Sequence, residues 1–138
     1  MALIFDTGPI YASLDRNDTD YRRCRTLIEE CEELRVIPLP VLPELDYLIS
    51  ERLGPGPMLA LLRDIEQGAY KVEGLEHADY VRVREVMDRY SDADVGFVDA
   101  SVLAIAERLR EPKLATMDRR HFALMRPGHV DALELLPS

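Results

Sequence analysis

No stretch of this chain approaches the roughly 20 consecutive apolar residues that a membrane-spanning helix needs. The opening Met1-Ala2-Leu3-Ile4-Phe5-Asp6 has no basic segment leading into a long apolar run. No secretory leader is therefore expected, and the expected location is cytoplasmic. Cysteine is scarce, with only 2 residues. Cys24 and Cys31 lie in a segment of helical periodicity, where their spacing puts them roughly 10 Å apart, too far for a disulfide. Both share a stripe with Tyr21, Leu27 and Ile28 and are expected to fill the core. Repeats, low-complexity tracts and Gly/Ser linkers are also missing, which predicts one domain over residues 1–138. A chain of that size can bury a core without disulfides or a structural metal.

Positive charge is in short supply: 17 Lys and Arg stand against 26 Asp and Glu, a net charge of -9. Affinity for polyanions comes from basic side chains neutralising phosphates, so the balance by itself argues against a nucleic-acid partner. Two routes lead around that objection. Some of the acids can gather about a bound cation, which reverses the local sign. Local bases such as Arg119 and Arg120 can then take the phosphates. The 3 histidines, His77, His121 and His129, show no paired ligand spacing and read as surface or turn residues. His121 is the one placed to touch a substrate, because it follows Asp118.

What is present is an alternation of short apolar runs and helical stripes. Strands are predicted at Ala2–Phe5, Arg35–Leu39, Ala69–Val72, Lys113–Thr116 and Ala132–Leu136. Helices are predicted from Gly8-Pro9 through Leu14, and from Asn17 or Asp18 to about Glu33. Another covers Val41 to about Leu53, with Pro43 in its first turn. Met58, Leu61, Leu62 and Ile65 form the stripe of the next, ended by Gly68. Tyr80, Val83, Met87 and Tyr90 mark one more, Val98 to about Arg110 is the most strongly helical, and a short one starts near Arg119. This order predicts an α/β domain with a mainly parallel sheet. In such sheets the ligand crevice lies beyond the carboxyl ends of the strands.

Four carboxylates stand where that pattern expects apolar side chains or strand ends. Asp6 follows the first strand and Asp118 the fourth. Glu44 shares the stripe of Val41 and Leu48, and Asp99 the stripe of Val102, Leu103 and Ala106. Each has an ordinary explanation: Asp6 as a helix cap, Asp99 as an acid favoured by the helix dipole, Glu44 snorkelling to water, Asp118 as a turn residue. Together they can meet in one crevice, where unpaired carboxylates repel. Buried charge must be paired or bind metal. No lysine or arginine occupies a matching inward position, so a divalent cation is the expected partner. An all-oxygen donor set suits Mg²⁺ or Mn²⁺ rather than Zn²⁺.

The same acids lie in blocks that resemble PIN domains: Phe5-Asp6-Thr7-Gly8-Pro9, Leu42-Pro43-Glu44-Leu45, Gly96-Phe97-Val98-Asp99-Ala100-Ser101, and Ala115-Thr116-Met117-Asp118-Arg119-Arg120-His121-Phe122. Their order and spacing are similar to those of the VapC toxins of type II toxin–antitoxin pairs, and the resemblance covers essentially the whole chain. The last two blocks are the most specific; a lone Asp-Thr-Gly carries little. The resemblance implies a PIN-like three-layer α/β/α domain with a mainly parallel central sheet. It implies an endoribonuclease toxin hydrolysing RNA, of the tRNA or rRNA class, by a metal-activated water. It also implies a homodimer and a cognate VapB-type antitoxin.

By motif, Asp6 and Asp99 would be the main metal ligands, with Glu44 and Asp118 completing a catalytic acidic pocket. Thr116 would orient a carboxylate through its hydroxyl, and Thr7 would do likewise beside Asp6. Asp94 reads either as a helix cap or as an outer ligand. Arg119, Arg120 and His121 are candidate RNA contacts. The alternative is a catalytically inactive PIN-like binding module, which the loss of one acid would signal. An aspartic protease is excluded by the helical character, and a dehalogenase-type phosphatase by Gly8 where its second aspartate belongs. A receiver domain is excluded by the lack of adjacent acids after the first strand.

Overall fold

A computed structural model describes residues 1–138. Five strands, β1 (Ala2–Phe5), β2 (Leu34–Pro38), β3 (Lys71–Glu73), β4 (Lys113–Ala115) and β5 (Glu134–Leu136), form one sheet in the order β3-β2-β1-β4-β5. Every neighbouring pair is parallel. Parallel neighbours need crossover connections, and seven helices accompany the strands: α1 (Thr7–Leu14), α2 (Tyr21–Glu30), α3 (Val41–Leu53), α4 (Gly56–Glu66), α5 (His77–Arg89), α6 (Phe97–Leu109) and α7 (Arg119–Leu124). With helices on both faces the architecture is the expected three-layer α/β/α. No helix is long and apolar enough to cross a membrane.

The centre of the sheet is apolar throughout, because it is covered on both faces. All four residues of β1 are buried, and so are Leu114 and Ala115 of β4. Helix α6 is just as deeply placed: every residue from Ala100 to Ala106 is buried, Ser101 among them. Its small residues let it lie close against its neighbours. Arg108 ties α6 to α5 by donating to Asp79 Oδ2 at 3.0 Å, so the one buried acid outside the cleft is paired. The edges differ. β3 and β5 are three residues long and carry Lys71, Glu73 and Glu134.

Several predicted boundaries shift for identifiable reasons. The third strand begins at Lys71 rather than Ala69, since Gly68 holds a left-handed φ of 89° and Tyr70 then turns into the core. Helix α2 is shorter than expected, starting at Tyr21 after a turn in which Asp18 accepts the Asp20 amide, and ending at Glu30. The last strand starts at Glu134 instead of Ala132. Of the α4 stripe only Leu61 is buried, and Leu62 and Tyr80 face solvent. Cys24 is fully buried as expected, whereas Cys31 lies past the end of α2 and is half-buried.

The chain winds from β1 outward through β2 to β3, and then crosses back to place β4 on the other side of β1. This reversal is the topological switch point, where adjoining loops diverge and leave a crevice beyond the carboxyl ends of β1 and β4. Phe5 pairs with Ala115, and the Asp6 amide donates to the Ala115 carbonyl at 2.8 Å. The loop residues after the two strands are thus held side by side. Gly8 makes this approach possible: a Cβ there would stand 2.8 Å from Met117 Cγ and 2.9 Å from Met117 Cβ. Gly8→Ala should therefore destabilise the fold by about 1–3 kcal/mol through overpacking. In urea denaturation, Gly8→Ala should cost much less in a Met117→Gly background, which removes both crowded atoms; an equal cost in either background would contradict the contact.

Candidate functional site at the sheet switch point

Asp6, Thr7, Gly8, Glu44, Leu48, Asp99, Met117 and Asp118 line one open cleft of about 560 Å³. The four acids come from the end of β1, the first turn of α3, the first turn of α6 and the turn after β4. Asp6 is buried, and its Oδ2 accepts a hydrogen bond from the Thr116 hydroxyl at 2.8 Å. The same hydroxyl oxygen accepts the Asp118 amide at 2.9 Å. Thr116 thus uses both its donor and its acceptor capacity to fix one acid and the backbone of another. Asp118 caps α7, its Oδ1 accepting the His121 amide at 3.1 Å.

His121 sits among the acids. Its Nδ1 lies 2.8 Å from Asp118 Oδ2 and 3.1 Å from Asp99 Oδ2, and its Nε2 lies 2.8 Å from the Ala93 carbonyl oxygen. A carbonyl oxygen only accepts, so Nε2 carries a proton. In the metal-free chain Nδ1 carries one too when both carboxylates are ionised, and the ring is then a cation between two anions.

The charges press on one another. Burial is the largest influence on Asp6 and pushes its pKa up to about 7; the Asp99 and Glu44 charges add to the rise, and bonds from Thr7 and Thr116 only partly oppose it. Asp99 is raised chiefly by burial and next by the Asp118 charge, with His121 pulling the other way. Burial lowers the His121 pKa, but its bonds to Asp118 and Ala93 and the nearby negative charges outweigh that and raise it.

Several placements differ from the sequence expectations. Glu44 is not an inward side chain: it is exposed at the rim of the cleft, where the helix stripe meets solvent. The Thr7 hydroxyl reaches Glu44 Oε1 rather than Asp6, because Thr7 opens α1 and faces α3. Asp94 is exposed and left-handed (φ 56°), and α6 is capped by Gly96, so Asp94 caps no helix there. Arg119 donates to the carbonyl oxygens of Pro137 at 2.9 Å and Leu135 at 3.5 Å, which turns it toward the chain terminus. Arg120 is exposed. His121 is no turn residue on the surface, its side chain being 18% exposed. The sequence reading missed this role, although the three-residue step from Asp118 into α7 puts the two side chains on neighbouring positions.

The donor set suits a hard dication. Four carboxylates open onto one space, no lysine or arginine lines it, and His121 alone offsets them. Without metal, the ionisations work against the fold. Asp6 and Asp99 hold protons more tightly folded than at the ordinary 3.8, so stability falls as pH rises through their folded pKa values. The His121 contribution is complete below 6.5 and is lost as pH climbs through its raised pKa. In chelator, Tm should drop between about pH 5 and pH 8, and added Mg²⁺ should restore more of it at the higher pH because it favours the ionised acids. A Tm that rises across that window would refute this account.

Residues 3–126 match the family model of the PIN domain. The chain is 31% identical over 125 residues to ribonuclease VapC26 of Mycobacterium tuberculosis, covering 91% of this chain and 93% of that protein. Among solved structures, VapC20 of Mycobacterium tuberculosis, described as a Sarcin-Ricin loop cleaving toxin, superposes with a TM-score of 0.81 at 19% identity. That match covers 95% of this chain and 98% of the other. VapBC2 of Rickettsia felis, bound to a DNA fragment from its promoter, gives 0.70 at 16% identity, with 98% of each chain covered. Those two likenesses concern the fold; the family model and the sequence identity establish kinship, and the chain belongs to the PIN-domain family in its VapC branch.

Proposed function

We propose that this chain is a single PIN domain acting as a Mg²⁺- or Mn²⁺-dependent endoribonuclease toxin of the VapC type. The observation that carries the reading is the convergence of Asp6, Glu44, Asp99 and Asp118, distant in sequence, on one cleft at the switch point of the sheet. All four acids of the active pattern are present, so nothing favours the inactive binding module.

Asp6 and Asp99 would hold the ion, with Glu44 and Asp118 completing the pocket. When bound, the dication makes the attacking water more acidic and neutralises charge gathering on the phosphoryl oxygens. The protein's part is to hold its carboxylates in place. Thr116 orients Asp6, and Thr7 steadies Glu44 at the open rim. Leu48 and Met117 give the cleft an apolar side. Attack by water rather than by the ribose 2′-hydroxyl leaves a 5′-phosphate and a 3′-hydroxyl. The cleft is wide and open, which suits single-stranded or looped RNA of the tRNA or rRNA class, whose reacting phosphate can be splayed into it.

The net charge of -9 keeps non-specific affinity for RNA low, and a bound cation then supplies the local positive field. Of the three candidate contacts Arg120 is the one left for RNA, since Arg119 is engaged by the terminal carbonyls and both His121 ring nitrogens already have partners. A homodimer and a cognate VapB-type antitoxin belong to the same reading. Support comes from solved VapBC assemblies of Rickettsia felis and Salmonella typhimurium with the same fold.

Asp6→Asn and Asp99→Asn should each abolish RNA cleavage and relieve growth arrest on expression, while thermal unfolding stays cooperative. Chelation should silence the native chain, and Mg²⁺ or Mn²⁺ should restore it. Full activity of Asp99→Asn, or cleavage indifferent to chelator, would defeat the assignment. Thr116→Val, which keeps the shape and deletes the hydroxyl, should cost roughly 10–100-fold in metal affinity, read by calorimetric titration.

A further inference from the structure

We infer that His121 is a nitrogen ligand to the ion in this cleft, through Nδ1, and that it biases the site toward Mn²⁺ over Mg²⁺. The inference rests on the metal-dependent reading above and adds to it a donor that a carboxylate-only site lacks.

Three observations carry it. The Nε2–H donates to the Ala93 carbonyl at 2.8 Å, which fixes the tautomer and the plane of the ring. A ligating histidine characteristically donates its other ring N–H to such an acceptor, leaving the first nitrogen's lone pair for the metal. Next, Nδ1 is aimed at two of the acids, 2.8 Å from Asp118 Oδ2 and 3.1 Å from Asp99 Oδ2. Neighbouring ligands of a six-coordinate ion with bonds of about 2.1 Å stand about 3 Å apart, and both distances from Nδ1 match that spacing. Finally, Asp99, Asp118 and His121 each offer an atom within 4.8 Å of the others, from two rigid elements and a capped turn.

The alternative role for the ring is that of a fixed counter-cation that only spaces the two acids. The Ala93 anchor serves either role. The consequences for the ion differ. Mg²⁺ takes oxygen ligands almost exclusively, whereas an imidazole nitrogen is a good donor to Mn²⁺ and ranks it above Mg²⁺. A carboxylate-only site with a spacer cation has no such preference built in. Neither His77, exposed at the start of α5, nor His129, whose Nε2 faces the Glu111 carbonyl, stands with these acids; His121 alone shares their reach.

The test is pulsed electron paramagnetic resonance on the full chain loaded with Mn²⁺ alone, grown with ¹⁴N- or ¹⁵N-histidine. Direct ligation predicts nitrogen hyperfine coupling that changes with the isotope and disappears in His121→Gln. Calorimetric titration should show Mn²⁺ affinity falling by about tenfold or more in His121→Gln, and Mg²⁺ affinity falling less, so that the ratio between them drops. Isotope-independent spectra with bound Mn²⁺, together with an unchanged ratio, would overturn the inference and leave the carboxylate site standing. Failure of Mn²⁺ to bind the native chain at all would overturn both. Should His121→Gln fail to fold, the isotope comparison in the native chain decides alone.

Discussion

The organising constraint of this molecule is the repulsion between carboxylates that the sheet forces into one space. Asp6 is anchored by its amide to Ala115 and by its side chain to Thr116, and neither attachment can yield without loosening the pairing of β1 and β4. Asp99 is fixed by a helix whose inner face is wholly buried. Asp118 is held by the cap it provides to α7. The acids therefore cannot relax apart, and in the metal-free chain protonation and the His121 ring are what ease their proximity. Burial accounts for most of the rise in the Asp6 and Asp99 pKa values in the metal-free chain, and the neighbouring negative charges add to it.

Much of this was legible in the sequence because it follows from local rules. A buried parallel strand needs unbroken apolar residues, and Ala2–Phe5 supplies them; an acid straight after such a strand must sit at its carboxyl end. The helix over Val98 to Arg110 could be read from its period, which also put Asp99 in the first turn and toward the core. Edge strands were harder. At β3 and β5 only three residues pair, and the alternation that marks a strand has no room to develop.

What escaped the sequence reading depends on contacts between distant segments. Periodicity gives the direction of Glu44 around its helix but not the depth at which that helix lies, so its exposure at the rim was hidden. Thr7 was read as a partner of its neighbour Asp6, yet its hydroxyl reaches across to Glu44. His121 was set apart from the acids because no second histidine stood near it in sequence. Its partners are Asp99, Asp118 and the Ala93 carbonyl, and two of these lie more than twenty positions away.

The two ends of the sheet have a consequence for assembly. β3 and β5 are short, and Lys71, Glu73 and Glu134 put charges along them. A longer, flatter border would invite another chain to add its own strand, continuing the sheet from molecule to molecule. Here the short, charged borders oppose that route, so the sheet ends within one molecule instead of continuing into an open-ended ribbon.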